Sequence, residues 1–322
     1  MKNKNFYKKV AQEIKKAKRI ALCVHMFPDG DAIGSMIALA LSLQRLKKNF
    51  TLFSPSELPG RFSFLPMHDR IRLKTVPGES FDLAVAIDCA SKVQLGDLYR
   101  SVFKKAHQTI EIDHHTFRRS FAAISLVDKD ASSVGEIVYF LLKFLNVKIE
   151  RDMAVAMLVS IIVETGSFRL PSVRAETFRI CADLLSLGID YYKIIEKSYW
   201  SRTKAEAALL GLCFSRIKFF KKGKLAYSYV TLKDLRRCGA RQEDIDPIAD
   251  QIRMLKEVRA VILLREMPGR RWRVSLRSKG SIDVGRVAEE FGGGGHPDVS
   301  GCFIEKTKKE ENRLIRRIGK LL

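Results

Sequence analysis

The chain has 322 residues, 46% of them hydrophobic, with 58 basic against 36 acidic side chains and a formal net charge of +22. At roughly 100 to 200 residues per domain this length fits about two domains, and the apolar content excludes a disordered chain. A membrane span is excluded as well, because the longest apolar runs, such as residues 153–163, fall far short of the ~20 residues a bilayer requires.

The first 20 residues space their apolar positions like an amphipathic helix rather than a secretory h-region, so a cytoplasmic protein is expected. Buried strands are then expected at 20–24, 50–53, 81–87 and 109–112, and helices at about 32–46, 133–145, 152–163 and 175–187. Short apolar runs alternating with helical periods are the pattern of a parallel α/β sheet. A polar helical connector is expected over about 190–216. Beyond it the pattern predicts strands at 225–231, 260–265 and 272–276 with helices at 246–256 and 282–291, a smaller α+β domain.

Six cysteines, Cys23, Cys89, Cys181, Cys213, Cys238 and Cys302, occur without a CxxC pair, which argues against a zinc knuckle or a disulfide scaffold. Most are expected to be small core fillers. Residues 1–200 carry 30 basic and 21 acidic side chains, and residues 201–322 carry 28 and 15. The shorter C-terminal part is thus the more positive, which favours a polyanionic partner such as nucleic acid.

Four clusters carry chemistry in the N-terminal part. His25-Met-Phe-Pro-Asp29-Gly-Asp31 follows the first strand, Asp88 closes the strand FDLAVAI, and Asp113-His114-His115 closes the strand TIEI. Sites in open α/β sheets form outside the carboxyl ends of the strands, so these three strand ends should converge. Such a concentration of carboxylates calls for a cation, and carboxylates with imidazoles suit Mn²⁺ or a similar divalent ion better than structural zinc. More than four ligands point to two ions, the arrangement that serves in-line displacement at phosphorus. The fourth cluster is Val163-Glu164-Thr165-Gly166-Ser167-Phe168 at the end of an apolar helix, where a buried Glu164 needs a compensating cation.

In the C-terminal part, Phe291-Gly292-Gly293-Gly294-Gly295-His296 follows a helix with apolar positions at Val284, Val287, Ala288 and Phe291. Four glycines exceed what a helix stop needs, and a backbone of that kind can approach a phosphate closely. Arg277-Ser278-Lys279 lies just upstream and can close on the same anion.

Taken in order, HMFPDGDAIGS, AIDCAS, IDHH, VETGSF, SLRSKGSIDV and FGGGGH resemble the DHH-family phosphoesterases with their associated C-terminal substrate domain, most of all the nanoRNA-degrading branch. The resemblance runs from about residue 15 to 304. It implies a parallel-sheet α/β catalytic domain over 1–189, a helical linker over 190–216 and an α+β substrate domain over 217–322, with the active site in the cleft between the domains. His25, Asp29 and Asp88 would hold one Mn²⁺, and Asp31, Asp88, His114 and Glu164 the second, with Mg²⁺ or Co²⁺ as alternatives. His115 and Asp113 would be catalytic, His115 touching phosphate and Asp113 orienting the histidines. Arg277, Ser278, Gly292, Gly293, Gly294, Gly295 and His296 would bind substrate. The family has Asp where this chain has Glu164.

The implied reaction is hydrolysis of short oligoribonucleotides to mononucleotides by in-line attack of a metal-bridging hydroxide, with removal of phosphate from 3′-phosphoadenosine 5′-phosphate as a second activity. The rival within the same chemistry is a phosphodiesterase for cyclic dinucleotides or their linear products. The rival outside it is an inactive single-stranded nucleic-acid-binding protein. Expected partners are short RNA or nucleotides and no membrane, with a homodimer left open.

Overall fold

The computed structural model describes residues 4–200, 203–245 and 247–322. They divide into two units, Met1–His115 with Arg119–Ser201, and Thr116–Arg118 with Arg202–Leu322.

A strand whose every interior position is apolar belongs in a sheet covered on both faces, and this governs the first unit. Its elements in chain order are α1 (Lys4–Lys16), β1 (Arg19–Val24), α2 (Gly30–Arg45), β2 (Asn49–Phe53), β3 (Ile71–Arg72), β4 (Leu83–Ile87), α3 (Leu98–Ser101), β5 (Gln108–Asp113), β6 (Ile124–Val127), α4 (Val134–Leu145), α5 (Arg151–Glu164), α6 (Ala175–Leu185) and α7 (Tyr191–Tyr199). The six strands form one parallel sheet in the order β3-β2-β1-β4-β5-β6. Ile20, Leu22, Val85, Ile87, Ile110 and Ile112 face a core shared with α2, α4 and α5. Ala21, Cys23, Ala84 and Ala86 face the other way, onto Leu98, Val102 and Phe103. Both faces are therefore dry.

Helix α5 runs through the middle of that core, with Met153, Ala154 and every residue from Ala156 to Ile162 buried. It lies against α2 closely enough that a Cβ on Gly34 would stand 2.4 Å from the Ala156 carbonyl oxygen. The strand order reverses direction between β1 and β4, which makes the carboxyl ends of those two strands the crevice where such sheets bind ligands.

The second unit contains α8 (Lys204–Ser215), β7 (Lys218–Phe220), β8 (Leu225–Val230), α9 (Leu232–Cys238), α10 (Ile248–Arg253), β9 (Ala260–Met267), β10 (Arg271–Ser278), α11 (Val284–Glu290), β11 (Gly294–Gly295), β12 (Val299–Glu305) and α12 (Lys308–Gly319). Its sheet has the order β11-β12-β10-β9-β8-β7 and is antiparallel except between β8 and β9. In β9, Ile262 and Leu264 enter one core with Trp272, Val274, Val287 and Leu314, while Val261 and Leu263 enter another with Leu209, Ile248 and Ile252.

The expected strands and helices of both units are present, with ends that differ by a few residues. Thr231, expected at the end of a strand, instead caps α9 through its side chain. The helix expected over 246–256 spans Ile248–Arg253, and its expected first residue, Asp246, lies outside the described residues. The stretch read as a connector holds α7 and α8. Strands β3, β6, β7, β11 and β12 and helices α3, α9 and α12 match no expected element. All six cysteines are free, and all but Cys238 are buried. Among the described residues no helix is long and apolar enough to cross a membrane.

Candidate metal centre

The turn after β1 sets the first ligands. Asp29 is the N-cap of α2, and its Oδ1 accepts from the N–H groups of Asp31 (2.9 Å) and Ala32 (3.1 Å). A carboxylate there completes the free helix donors and meets the positive end of the helix dipole. One turn into α2 nothing is exposed, and Asp31 is fully buried. Its Oδ2 accepts from Val134 N–H (2.9 Å), and its Oδ1 accepts from the hydroxyls of Ser35 (3.0 Å) and Ser160 (2.6 Å) and lies 3.3 Å from Gly135 N. Val134 and Gly135 open α4, so a second helix N-terminus stabilises this carboxylate.

Asp88 stands at the end of β4 with φ +59°, the left-handed region, where Asp is among the few tolerated side chains. Its N–H donates to the Ile112 carbonyl of β5. The side chain is thereby turned into the crevice, with Oδ2 3.6 Å from His25 Nε2 and Oδ1 3.7 Å from His114 Nε2. Among the described residues Asp88 Oδ1, buried, has no hydrogen-bond partner, and His115 Nδ1 stands 3.5 Å from it.

Both flanking imidazoles are set by backbone carbonyls. His25 Nδ1 lies 2.9 Å from Met26 O, and His114 Nδ1 lies 3.2 Å from Ala131 O. A carbonyl only accepts, so Nδ1 carries the proton and the Nε2 lone pair is directed into the site. His114 Nε2 is 3.4 Å from Asp31 Oδ2 and 3.6 Å from Glu164 Oε1. Glu164 is the last residue of α5, largely buried. His115 is oriented differently: its Nδ1 lies 2.7 Å from Asp113 Oδ1, which also accepts the backbone N–H of His114.

The electrostatics of the cluster call for positive charge. Burial, then the neighbouring Asp88 and Asp29, push the Asp31 carboxyl well above its ordinary value. Burial also acts to raise Asp88, but the surrounding histidines outweigh it and hold Asp88 low. Burial and the adjacent His115 push His114 down, which favours the neutral, ligating form. Burial opposes charging of His115, yet Asp113 and Asp88 hold it up, at about 9.

These residues fit a divalent cation. The ligand atoms group as His25, Asp29 and Asp88, and as Asp31, His114 and Glu164, with Asp88 next to His114 as well. Atoms bound at ~2.1 Å to one ion lie roughly 3.0–3.4 Å apart, only slightly closer than the 3.4 to 3.7 Å seen around His114. Buried carboxylates crowded together are unfavourable unless positive charge is shared among them, and Asp88 Oδ1, without a hydrogen bond and 3.5 Å from His115 Nδ1 and 3.7 Å from His114 Nε2, stands where a cation would add to what the histidines supply.

Two family models match the chain: the DHH family N-terminal domain over residues 19–161, and the DHHA1 domain over residues 222–322. The chain belongs to the DHH family of phosphoesterases, which are metal-dependent hydrolases. A "bifunctional oligoribonuclease and PAP phosphatase NrnA" from Thermus thermophilus is 28% identical over 89% of this chain and 84% of its own length. The crystal structure of an exopolyphosphatase-related protein from Bacteroides fragilis matches 98% of this chain and 96% of its own, with a TM-score of 0.86 and 25% identity. At 14% identity and a TM-score of 0.53, RecJ from Thermus thermophilus in complex with Mn²⁺ shares the fold over 98% of this chain and 54% of its own.

In the DHHA1 unit the expected substrate residues are placed as follows. Arg277 is half-buried and donates through Nε to Asp250 Oδ1 (3.0 Å). Ser278 is buried and its hydroxyl donates to Ile282 O (2.6 Å), so it serves the fold. The glycine run is not an open nest at its first two positions. Gly292 N–H donates to Glu289 O and Gly293 N–H to Ala288 O, the paired bonds of a Schellman stop for α11. Gly293 packs so tightly that a Cβ would sit 2.0 Å from Gly301 O. Gly294 and Gly295 form the edge strand β11, and His296 N–H donates to Val299 O (2.7 Å).

Sequence reasoning about this DHH-family chain missed Ser35, Ser160 and the N–H groups of Val134 and Gly135. Only Ser35, one helical turn beyond Asp31, left a trace in the sequence.

Proposed function

We propose that this DHH-family phosphoesterase hydrolyses short oligoribonucleotides to mononucleotides and removes a phosphate from 3′-phosphoadenosine 5′-phosphate, using two Mn²⁺ ions. The observation that carries the reading is the buried Asp88 carboxylate, its Oδ2 3.6 Å from His25 Nε2 in the group with Asp29 and its Oδ1, without a hydrogen bond, 3.7 Å from His114 Nε2 in the group with Asp31 and Glu164. The similarity to NrnA over most of both chains supports the substrate class. Mixed imidazole and carboxylate donors suit Mn²⁺.

Ions bound there supply an activated water and positive charge for the oxygens of the scissile phosphate. The chain's residues do the rest. Asp88 serves both groups. Asp29 and Asp31 enter from the N-cap and the second helical position of α2, which fixes their separation, and His114 is set by Ala131 O to ligate through Nε2. Asp113 holds His115 through Nδ1, and the His115 imidazole is assigned to the substrate phosphate. In the DHHA1 unit, Arg277, Gly294, Gly295 and His296 are assigned to the nucleotide.

The test is product analysis with Mn²⁺ on 5′-labelled RNAs of two to 20 nucleotides, 3′-phosphoadenosine 5′-phosphate and cyclic dinucleotides. RNAs of a few residues should yield mononucleotides faster than the 20-mer, and the bisphosphate should release phosphate. Preference for the 20-mer or for cyclic dinucleotides would overturn the assignment.

A further inference from the structure

Three helices of the first unit meet at one buried hydroxyl. Ser160 of α5 is fully buried, and its Oγ accepts from Gly135 N–H of α4 (2.9 Å) and donates to Asp31 Oδ1 of α2 (2.6 Å). There is no spare room around it. A Cβ on Gly135 would stand 2.2 Å from Ser160 Oγ, and one on Gly34 would stand 3.2 Å from Ser160 Cβ.

The hydrogen bonds on Asp31 are unequal. Oδ1 accepts from the two hydroxyls of Ser160 and Ser35 and is close to Gly135 N, which fills its lone pairs. Among the described residues Oδ2 accepts from Val134 N–H alone, and His114 Nε2 stands 3.4 Å from it. The carboxylate can therefore offer one oxygen and one direction.

We infer that Ser160 is a positioning residue that sets Asp31 as a one-oxygen ligand of the second ion. The inference rests on the two-ion reading above. Ser160 touches neither substrate nor ion. It relays the Gly135 N–H to Oδ1, occupies that oxygen and leaves Oδ2 to the cation. Partners that orient metal ligands in this way typically contribute about 10- to 100-fold to affinity.

The simpler role for a small buried residue at a three-helix junction is packing alone, and Ser160→Ala keeps the packing while deleting the hydroxyl. The experiment is Mn²⁺ titration by calorimetry of metal-free wild type, Ser160→Ala and Ser160→Gly, with thermal melting of each metal-free protein to confirm folding. Wild type should take up two ions. Both variants should bind the second ion about 10- to 100-fold more weakly, with the first ion within about threefold of wild type. At saturating Mn²⁺, kcat on a diribonucleotide should fall with KM little changed. If wild type binds two ions and the folded variants bind both equally well, Ser160 only packs and the inference fails. If wild type binds fewer than two ions, the two-ion reading itself fails and takes this role with it.

Discussion

Asp88 Oδ1 and His114 Nε2 face each other at 3.7 Å, both buried, across a gap too long for a hydrogen bond and close to the spacing of two ligands on one ion. Glu164 Oε1 reaches the same imidazole nitrogen at 3.6 Å from the end of α5. The longer side chain in place of the family's Asp thus still arrives at the site.

That arrival is testable. Glu164→Gln keeps length and removes charge, so Mn²⁺ affinity at the second site should drop, with activity falling alongside it. Glu164→Asp should retain partial activity, because the backbone here suits the longer side chain. Metal-free Glu164→Gln should melt at or slightly above wild type, by ~0.3–1 kcal/mol, since a negative charge at a helix C-terminus is unfavourable. Unchanged Mn²⁺ affinity in the Gln variant would remove Glu164 from the ligand set.

The glycine run allows stability to be separated from binding. Gly292 has φ +77° and open space around it, so Gly292→Ala should cost about 1–2 kcal/mol from backbone strain alone. Gly293→Ala places a methyl group against Gly301 O and Cys302, and should cost about 3 kcal/mol or more. Denaturant unfolding of the two variants reads the difference, and equal losses would contradict the packing described.

Much of this was legible beforehand. Strands β1 and β4 are apolar runs and β5 places Ile110 and Ile112 in the core, and each leads directly into a ligand, so the crevice followed from where the strands stop. Strand β12 was hidden by Gly301 in the middle of VSGCFIE, and α12 by having only Leu314, Ile315 and Ile318 as apolar residues among charges. Ser160 reads as one more small residue in an apolar helix. Its meaning comes from Asp31 and Gly135, distant in sequence, and no local pattern carries that. The glycine run reads as a phosphate-approaching loop because composition does not show that half of it ends a helix and the rest pairs with β12.

Arg277 is assigned to substrate and not to the metal centre. Arg277→Ala should raise KM for short RNA and lower kcat/KM about ten- to a hundredfold, the size of a lost charge-assisted contact of roughly 1.5–3 kcal/mol. Bound Mn²⁺ should be unchanged. Parallel loss of metal and activity would contradict the assignment.

The DHHA1 unit also carries an acid-sensitive pair. Burial alone would raise the Asp234 carboxyl, but Arg216 and the N–H and hydroxyl of Thr231 hold it down, at about 2. The Arg216 contacts are 2.6 and 3.2 Å, and those of Thr231 are 2.7 and 2.8 Å. The folded value lies below the unfolded 3.8, so the stabilisation is present above about pH 4 and is lost as pH falls through about 2. Asp234→Asn should lower Tm at pH 7, and the gap to wild type should narrow on acidification below pH 4. A gap constant from pH 7 to 2 would sink this account.

Asp88 decides the central claim, and Asp88→Asn is the variant that isolates it. Asn tolerates the left-handed backbone at this position, so the fold is kept while the charge shared by the two ligand groups is removed. Metal-free Asp88→Asn should melt somewhat below wild type at pH 7, because the histidines that hold the Asp88 carboxyl low lose their counter-charge, and it should still unfold cooperatively. Calorimetric titration with Mn²⁺ is the direct measurement. The wild-type chain should bind two ions, and folded Asp88→Asn should lose affinity at both sites together with hydrolysis of diribonucleotides. Retention of wild-type binding at either site, or near-normal hydrolysis by the folded variant, would contradict a shared carboxylate at the heart of a two-ion centre.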